Sequence, residues 1–180
     1  MTSHPHSFSR FCMQCGERLM TAVPEGDTRR RMVCMDCGFI HYINPRPVAG
    51  TIPVDAAGRV LLARRDIEPR RGCWVFPGGF MDVGESAEEA ACRETREEVN
   101  LEVGNLQLIG VFTRIEPGVV VIVYEAEALG EGSAGDETSE IRWFEPAEIP
   151  WEEIAFDSTE AALRTWVQRR AAVSTGAGGI

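Results

Sequence analysis

Residues 79–101 read GFMDVGESAEEAACRETREEVNL, a glycine-bearing turn that runs into a helix-compatible stretch carrying glutamates at 85, 94, 97 and 98. At roughly 100° of rotation per residue, Glu94, Glu97 and Glu98 project within an arc of about 100° on one side of that helix. Like charges at i,i+3 and i,i+4 destabilise a helix by roughly 0.2–0.5 kcal/mol per pair, so their concentration points to something that neutralises them. A hard divalent cation, Mg²⁺ or Mn²⁺, suits an all-oxygen site and commonly holds substrate phosphates as well. The competing account is a solvated acidic face, and two features weigh against it. Ala87, Ala91, Thr95 and Val99 form a packing stripe on the same helix, and Glu98 points almost along Ala91, at the border of what is buried. Ser86 with Glu89 makes a capping box that fixes the helix start beside Gly84 and Glu85.

Gly79, five residues, Glu85, seven residues and then Arg93-Glu94-Thr95-Arg96-Glu97-Glu98-Val99-Asn100-Leu101 resembles the Nudix box. One position departs. Asn100 stands where the family's usual glycine does, and asparagine is the residue that, after glycine, best tolerates the left-handed conformation at a helix C-terminus. The resemblance implies hydrolysis of a nucleoside diphosphate linked to another group, with Mg²⁺ or Mn²⁺ held by Glu94, Glu97 and Glu98. It assigns Glu85 and Arg93 to orienting the loop and those glutamates, and Gly78 and Gly79 to the loop beside the bound ligand.

Pyrophosphate is anionic and repels hydroxide, so such a reaction needs cations that mask the oxygens, polarise phosphorus and lower the pKa of a bound water. The general base is one of the helix glutamates or a carboxylate from elsewhere in the fold. Glu137 and Glu140, in the loop GDETSE, resemble the glutamate that many family members bring over the metal. Glu140 is preferred, and Glu137 reads as exposed loop.

Near the N-terminus, Cys12-x2-Cys15, eighteen residues, and Cys34-x2-Cys37 has the spacing of a four-cysteine zinc ribbon. Gly16 and Gly38 follow the pairs, where a tight knuckle lets backbone N–H groups approach the thiolates. Two disulfides would need an oxidising compartment, and the chain does not open with the charged-then-apolar run of a secretory signal. Four cysteines leave no open coordination position, so this zinc is expected to be structural. His41 reads as an ordinary residue, and Cys73 and Cys92 as small buried apolar side chains.

At 180 residues, 44% hydrophobic and without an apolar run long enough for a bilayer, the chain suits one medium domain plus a small appendage, no membrane partner and a cytoplasmic location. Its net charge of −10 is uneven, residues 82–102 holding eight acids and two arginines. The acidic balance argues against nucleic acid as a partner, although Arg29, Arg30 and Arg31 make the zinc module locally basic. Punctuation gives a flexible 1–9, a zinc ribbon over 10–42, an extended Asn44-Pro45-Arg46-Pro47 connector, a Nudix-like domain over 47–170 and a disordered tail over 171–180. Strands are expected over 48–54, 60–64, 74–76, 106–113, 119–126 and 141–144, and a closing helix capped by Asp157 or Ser158 ends near Arg170. The fold class is α/β, an α/β/α sandwich with a mixed sheet behind a small N-terminal zinc ribbon.

A zinc ribbon joined through Tyr42-Ile43-Asn44-Pro45 to such a domain is similar to two groups, the NADH pyrophosphatases and a shorter group that includes plant plastid FAD and ADP-ribose pyrophosphatases. The second group matches FCMQCG, VCMDCG, HYINPR, the box and Ile154-Ala155-Phe156-Asp157-Ser158, whereas the Ser-Gln-Pro-Trp-Pro-Phe-Pro run of the first is absent. Pro117, sixteen residues beyond Leu101, matches the spacing of ADP-ribose hydrolysing members, or is simply a hairpin turn. The expected substrate is a small-molecule nucleotide, FAD or ADP-ribose, cleaved to AMP plus FMN or ribose 5-phosphate. NADH or an NAD cap is the alternative. A nucleotide-sensing regulatory or nucleic-acid binding module is the alternative of another class, and the full set of glutamates disfavours it. Trp74, Phe80, Arg64, Arg65, Arg70 and Arg71 could wall the adenine and hold the phosphates. A homodimer is compatible with the resemblance.

Overall fold

The computed structural model describes residues 9–115 and 118–176, with side chains to 172. The expectations for 1–8, for Pro117 and for 177–180 lie outside these residues. The chain divides at Pro45/Arg46 into two compact units.

In the first unit, three short antiparallel strands lie in the order β1 (Leu19–Ala22), β2 (Arg31–Cys34) and β3 (Ile40–His41). So small a sheet has little apolar surface to bury. Cys12, Leu19 and Cys34 form its core, with Met32 and Phe39 beside them. A module of this size depends on a staple, and its cysteines supply the means.

The second unit opens with a hairpin of β4 (Arg46–Val54) and β5 (Val60–Arg65), followed by β6 (Trp74–Val75), β7 (Gly78–Phe80) and the helix α1 (Ala87–Val99). Then come β8 (Val103–Arg114), β9 (Val119–Ala128), β10 (Thr138–Phe144), two 3-10 turns at Pro146–Glu148 and Trp151–Glu153, and α2 (Asp157–Gly176). The strands form a mixed sheet in the order β10-β5-β4-β9-β8, with β6 beside β5 and β7 beside β4. β4 and β9 run parallel, from Arg46↔Val119 to Val54↔Glu127.

Alternation along the strands sorts the layers. Ala49, Leu61, Ala63 and Tyr124 pack with Ala90, Ala91 and Val99 of α1, whereas Ile52, Val54, Val60, Leu62 and Val123 pack with Ala162, Leu163 and Trp166 of α2. The small residues of α1 let that helix lie close to the sheet.

Strands β4 and β5 meet only at the closed end of their hairpin, at Val54↔Val60. Each then takes another partner, β5 pairing with β6 at Ala63↔Val75 and β4 with β7 from Val48↔Phe80 to Gly50↔Gly78. The loop that enters the box therefore crosses between two diverging strands. It can do so because glycines face each other there: a Cβ on Gly50 would lie 2.7 Å from the Pro77 carbonyl oxygen, and one on Gly78 would lie 2.7 Å from the Gly50 Cα.

β8 and β10 each begin three residues before the expected strands, and three further elements differ from expectation. β4 starts at Arg46, so Pro47 sits in a strand and not in a connector, its carbonyl accepting from the Met81 N–H at 3.2 Å. Proline's missing N–H made that boundary look later. Gly78 and Gly79 read as a turn in the sequence, yet they lie in β7 and pair with β4. α2 continues past Arg170 to Gly176, Ala171 and Ala172 being strong helix formers. At the sheet edge, Arg169 of α2 donates to the carbonyls of Leu108 (2.9 Å) and Ile109 (2.7 Å) on β8. No helix among the described residues is long and apolar enough to cross a membrane.

Candidate active site

The start of α1 is fixed as its sequence suggests. The Ser86 hydroxyl accepts from the Glu89 N–H at 3.2 Å, and the Glu89 carboxylate accepts from the Ser86 N–H at 2.8 Å, which closes the capping box. At the other end Asn100 adopts the left-handed conformation (φ 47°, ψ 39°), and its N–H donates to the Arg96 carbonyl at 3.0 Å. Its side-chain amide also donates to the carbonyls of Ser133 (3.3 Å) and Ala134 (3.4 Å), contacts that a glycine could not make. The same loop returns the N–H groups of Ser133 and Gly135 to the Val99 and Glu98 carbonyls at 2.8 and 2.9 Å. The helix end and the segment leading to Glu137 are thus locked together.

Arg93 is the hub of the box. It donates to both oxygens of Glu85 (2.7 and 3.0 Å), to Glu94 (2.7 Å), to Glu97 (3.1 Å) and to the Phe80 carbonyl (3.1 Å). These bonds, joined by one from the Asp82 N–H, hold the Glu85 carboxyl down to about 2. Glu94 is largely covered, its carboxylate lying where a Cβ on Gly79 would have to go. Burial raises its pKa, with Arg93 opposing. Glu98 is covered further still. Its Oε2 accepts from the Gly78 N–H at 3.1 Å, and burial pushes its pKa up to about 7 against that hydrogen bond, with the charges of Glu94 and Glu137 adding to the rise. Glu97 remains exposed, with a side-chain accessibility of 59%.

The three glutamates share a helix side but do not converge equally. Among the described residues the only cluster of three or more His, Cys, Asp or Glu ligand atoms lying within 4.8 Å of one another is formed by cysteines. Glu94 and Glu98 are the two carboxylates turned toward Gly78 and Gly79 at the start of β7, and Gly78 gives its N–H to Glu98. Their chemistry fits a hard divalent cation, because two desolvated carboxylates that repel each other gain from a positive charge between them.

Glu140 lies in β10, not in a loop, opposite Arg64, and it pairs with Arg142 (2.7 Å) and Arg64 (3.5 Å). Glu137 is exposed, and its charge reaches Glu98. Trp74 belongs to the core, edge-on to Phe144 at 5.1 Å. Phe80 is exposed beside the loop with the Arg46 guanidinium 4.1 Å from its ring centre. Arg65 lies over Phe156, Arg71 pairs with Asp66, and Arg70 has φ 67°.

Two polar contacts, one buried and one at the helix surface, lie outside what the motifs indicate. The hydroxyls of Thr51 and Thr95 meet at 2.7 Å, and the Tyr124 hydroxyl donates to Glu88 at 3.0 Å. The available signal was Thr95 itself, a polar residue on a packing stripe. A separate cavity of about 650 Å³, lined by Val54, Asn105, Glu125, Glu127 and Arg170 among others, includes none of the box residues.

In the first unit Cys12, Cys15, Cys34 and Cys37 bring their sulfur atoms within 4.8 Å of one another. The Cys12–Cys37 and Cys15–Cys34 separations of 3.7 and 3.5 Å are too long for a disulfide. They are close to the edge of a tetrahedron with Zn–S bonds of about 2.3 Å, roughly 3.8 Å. The set fits zinc. Gly16 (φ 83°) and Gly38 (φ 75°) turn the two knuckles, and His41 stays in β3 opposite Met32. Cys73 and Cys92 are half-buried, not fully buried as expected.

A mixed sheet between two helices, with the carboxylates of one helix facing a Gly-Gly pair at the start of a short strand, is the architecture of a Nudix protein. A model for the NUDIX domain matches residues 44–167 and one for the zinc-ribbon Nudix N-terminal segment matches residues 10–43, so the chain belongs to the Nudix hydrolase family. It is 33% identical over 121 residues to an ADP-ribose pyrophosphatase of Methanocaldococcus jannaschii, covering 64% of this chain and 70% of that protein. It is 35% identical over 146 residues to the NAD-capped RNA hydrolase NudC of Pseudomonas aeruginosa, covering 79% of this chain and 50% of that protein. The chain thus spans about half the length of that relative. The crystal structure of a NUDIX hydrolase from Nitrosomonas europaea superposes with a TM-score of 0.85 at 37% identity, covering 91% of this chain and 93% of that one.

Proposed function

We propose that the protein hydrolyses the pyrophosphate bridge of a nucleoside diphosphate joined to a second group. ADP-ribose, cut to AMP and ribose 5-phosphate, is the leading substrate, and FAD, cut to AMP and FMN, is its nearest chemical variant. The observation that carries this reading is the pair Glu94 and Glu98, both desolvated and turned to Gly78 and Gly79, with Glu98 raised to about 7. Glu94, Glu97 and Glu98 would hold Mg²⁺ or Mn²⁺, which supplies charge neutralisation of the phosphates and an activated water.

The chain's own residues divide the remaining work. Arg93 ties Glu85 to the helix and keeps Glu94 beside the loop. Glu137, on a segment anchored to the end of α1, is the better candidate for the base, because Arg142 and Arg64 already take the charge of Glu140. In the first unit Cys12, Cys15, Cys34 and Cys37 hold zinc in a structural role.

The likeness to the Methanocaldococcus pyrophosphatase supports ADP-ribose. The likeness to the NAD-capped RNA hydrolase, which extends over more of this chain, supports a second reading in which the substrate is NADH or an NAD-capped RNA. The deciding experiment supplies the full chain and Mg²⁺ with ADP-ribose, FAD, NADH, NAD-capped RNA and nucleoside triphosphates, and identifies products by chromatography. Fastest turnover of ADP-ribose or FAD is expected. Faster turnover of NADH or capped RNA would favour the second reading, and activity on triphosphates alone would reject both. In the same assay Glu137→Gln should lose more turnover than Glu140→Gln.

A further inference from the structure

Thr51 and Thr95 are both fully buried. Thr95 has one hydroxyl proton and gives it to the Ala91 carbonyl at 2.7 Å, so the proton shared between the two threonines comes from Thr51. Thr51 also uses its backbone, donating its N–H to the Pro77 carbonyl at 3.0 Å. The next residue, Gly78, donates to Glu98. One strand residue therefore holds both the loop that supplies the N–H and the helix that carries its acceptor.

A neighbouring strand repeats the device. Tyr124 of β9 is the ladder partner of Thr51, and its hydroxyl grips Glu88 in the first turn of α1. Glu88 and Thr95 are seven residues apart, close to two helical turns, and so lie on one face. The helix is seated on the sheet at two polar points, the second lying between Glu94 and Glu98. Apolar packing by alanine and valine would tolerate a small slide or rotation of α1. The hydroxyl contacts are directional and do not.

We propose that Thr51 is a positioning residue for the carboxylate site, setting the loop through its amide and the rotation of α1 through its hydroxyl. This rests on the reading of Glu94 and Glu98 as cation ligands. A displacement of about 1 Å in such a site can cost on the order of a hundredfold in rate, which makes the contact measurable.

Thr51→Val keeps the shape and removes the donor, but it strands a buried acceptor on Thr95. The double variant Thr51→Val/Thr95→Val removes both partners, a change that can be nearly neutral for stability. Melting temperature, Mn²⁺ affinity by calorimetry, and kcat and KM for ADP-ribose are to be measured on the full chain for these variants and for Thr51→Ser. The double variant is expected to melt close to the wild type, yet to bind Mn²⁺ about tenfold more weakly and to lose about tenfold in kcat with KM little changed. Thr51→Ser should retain both. A double variant with wild-type Mn²⁺ affinity and kcat would overturn the proposal. If the wild type binds Mn²⁺ but cleaves no dinucleotide, the proposed substrate falls while the affinity comparison still decides the role of Thr51.

Discussion

Arg93 holds Glu85 through two hydrogen bonds, Nη2 to Oε1 at 2.7 Å and Nε to Oε2 at 3.0 Å. The pair joins the turn before α1 to the middle of the helix. With its Nη1 the same arginine faces Glu94 and Glu97, so the loop and the carboxylates share one cation of the protein's own.

That pairing predicts an acid-sensitive stability. Glu85 is held at about 2 in the folded protein, below its ordinary value of 4.5, with Arg93 the largest cause. A group lowered on folding adds stability above its unfolded pKa and loses it as pH falls toward the folded one. Urea unfolding of the wild type and Glu85→Gln should therefore show a full difference at pH 7 and a smaller one at pH 3. A difference independent of pH would contradict the ion pair.

Glu98 has the opposite sign. Its pKa rises from 4.5 to about 7 on burial, so without a cation its contribution to stability is complete below pH 4.5 and is lost as pH rises through 7. A bound cation has to displace a proton there. Mn²⁺ affinity should therefore increase between pH 6 and 8, and Glu98→Gln should flatten that dependence. Turnover in Glu98→Gln should fall by about a hundredfold or more while the chain stays folded. Calorimetry at three pH values checks the first expectation, and circular dichroism beside the assay checks the second.

Gly50→Ala tests the loop crossing. Its Cβ would meet the Pro77 carbonyl oxygen at 2.7 Å and the Gly78 Cα at 3.1 Å, both backbone atoms with little room to move. A loss of about 1–3 kcal/mol is expected from the overpacking, together with slower turnover as Gly78 is pushed from Glu98. Thermal melts matching the wild type would mean the loop yields.

Zinc removal should act on the first unit. Cys34→Ser, or a strong chelator, should release the metal and strip hydrogen-exchange protection from residues 10–42, since little apolar core remains to replace it. Residues 46–170 should keep theirs. Loss of protection across both regions would show that they do not fold separately.

Local features were legible and distant ones were not. The capping box at Ser86 and Glu89 and the left-handed Asn100 depend on neighbours within a turn, and both are present as read. The additional bonds from Asn100 to Ser133 and Ala134 cross more than thirty residues and leave no local trace. Glu140 reads as a loop residue because Thr138-Ser139-Glu140 has no apolar alternation, and the strand carries an irregularity between Thr138 and Glu140. Trp74 offered two readings, a nucleobase wall or core, and only its edge-on packing against Phe144 separates them. The zinc module was legible because metal ligation fixes spacing directly. The partners of Thr51 were not, since a threonine in a strand is ordinary by composition.

The parallel pairing of β4 with β9 has a consequence for synthesis. A ribosome must deliver the chain through Ala128 before the central strand acquires its long neighbour, and α1 has no finished surface to rest on until then. The cysteine module, with its ligands complete by Cys37 and its last strand by His41, can close round its metal much earlier. Nascent chains arrested between these points would carry an assembled metal knot ahead of an unfinished hydrolase, with the β9-facing edge of β4 open to wrong partners.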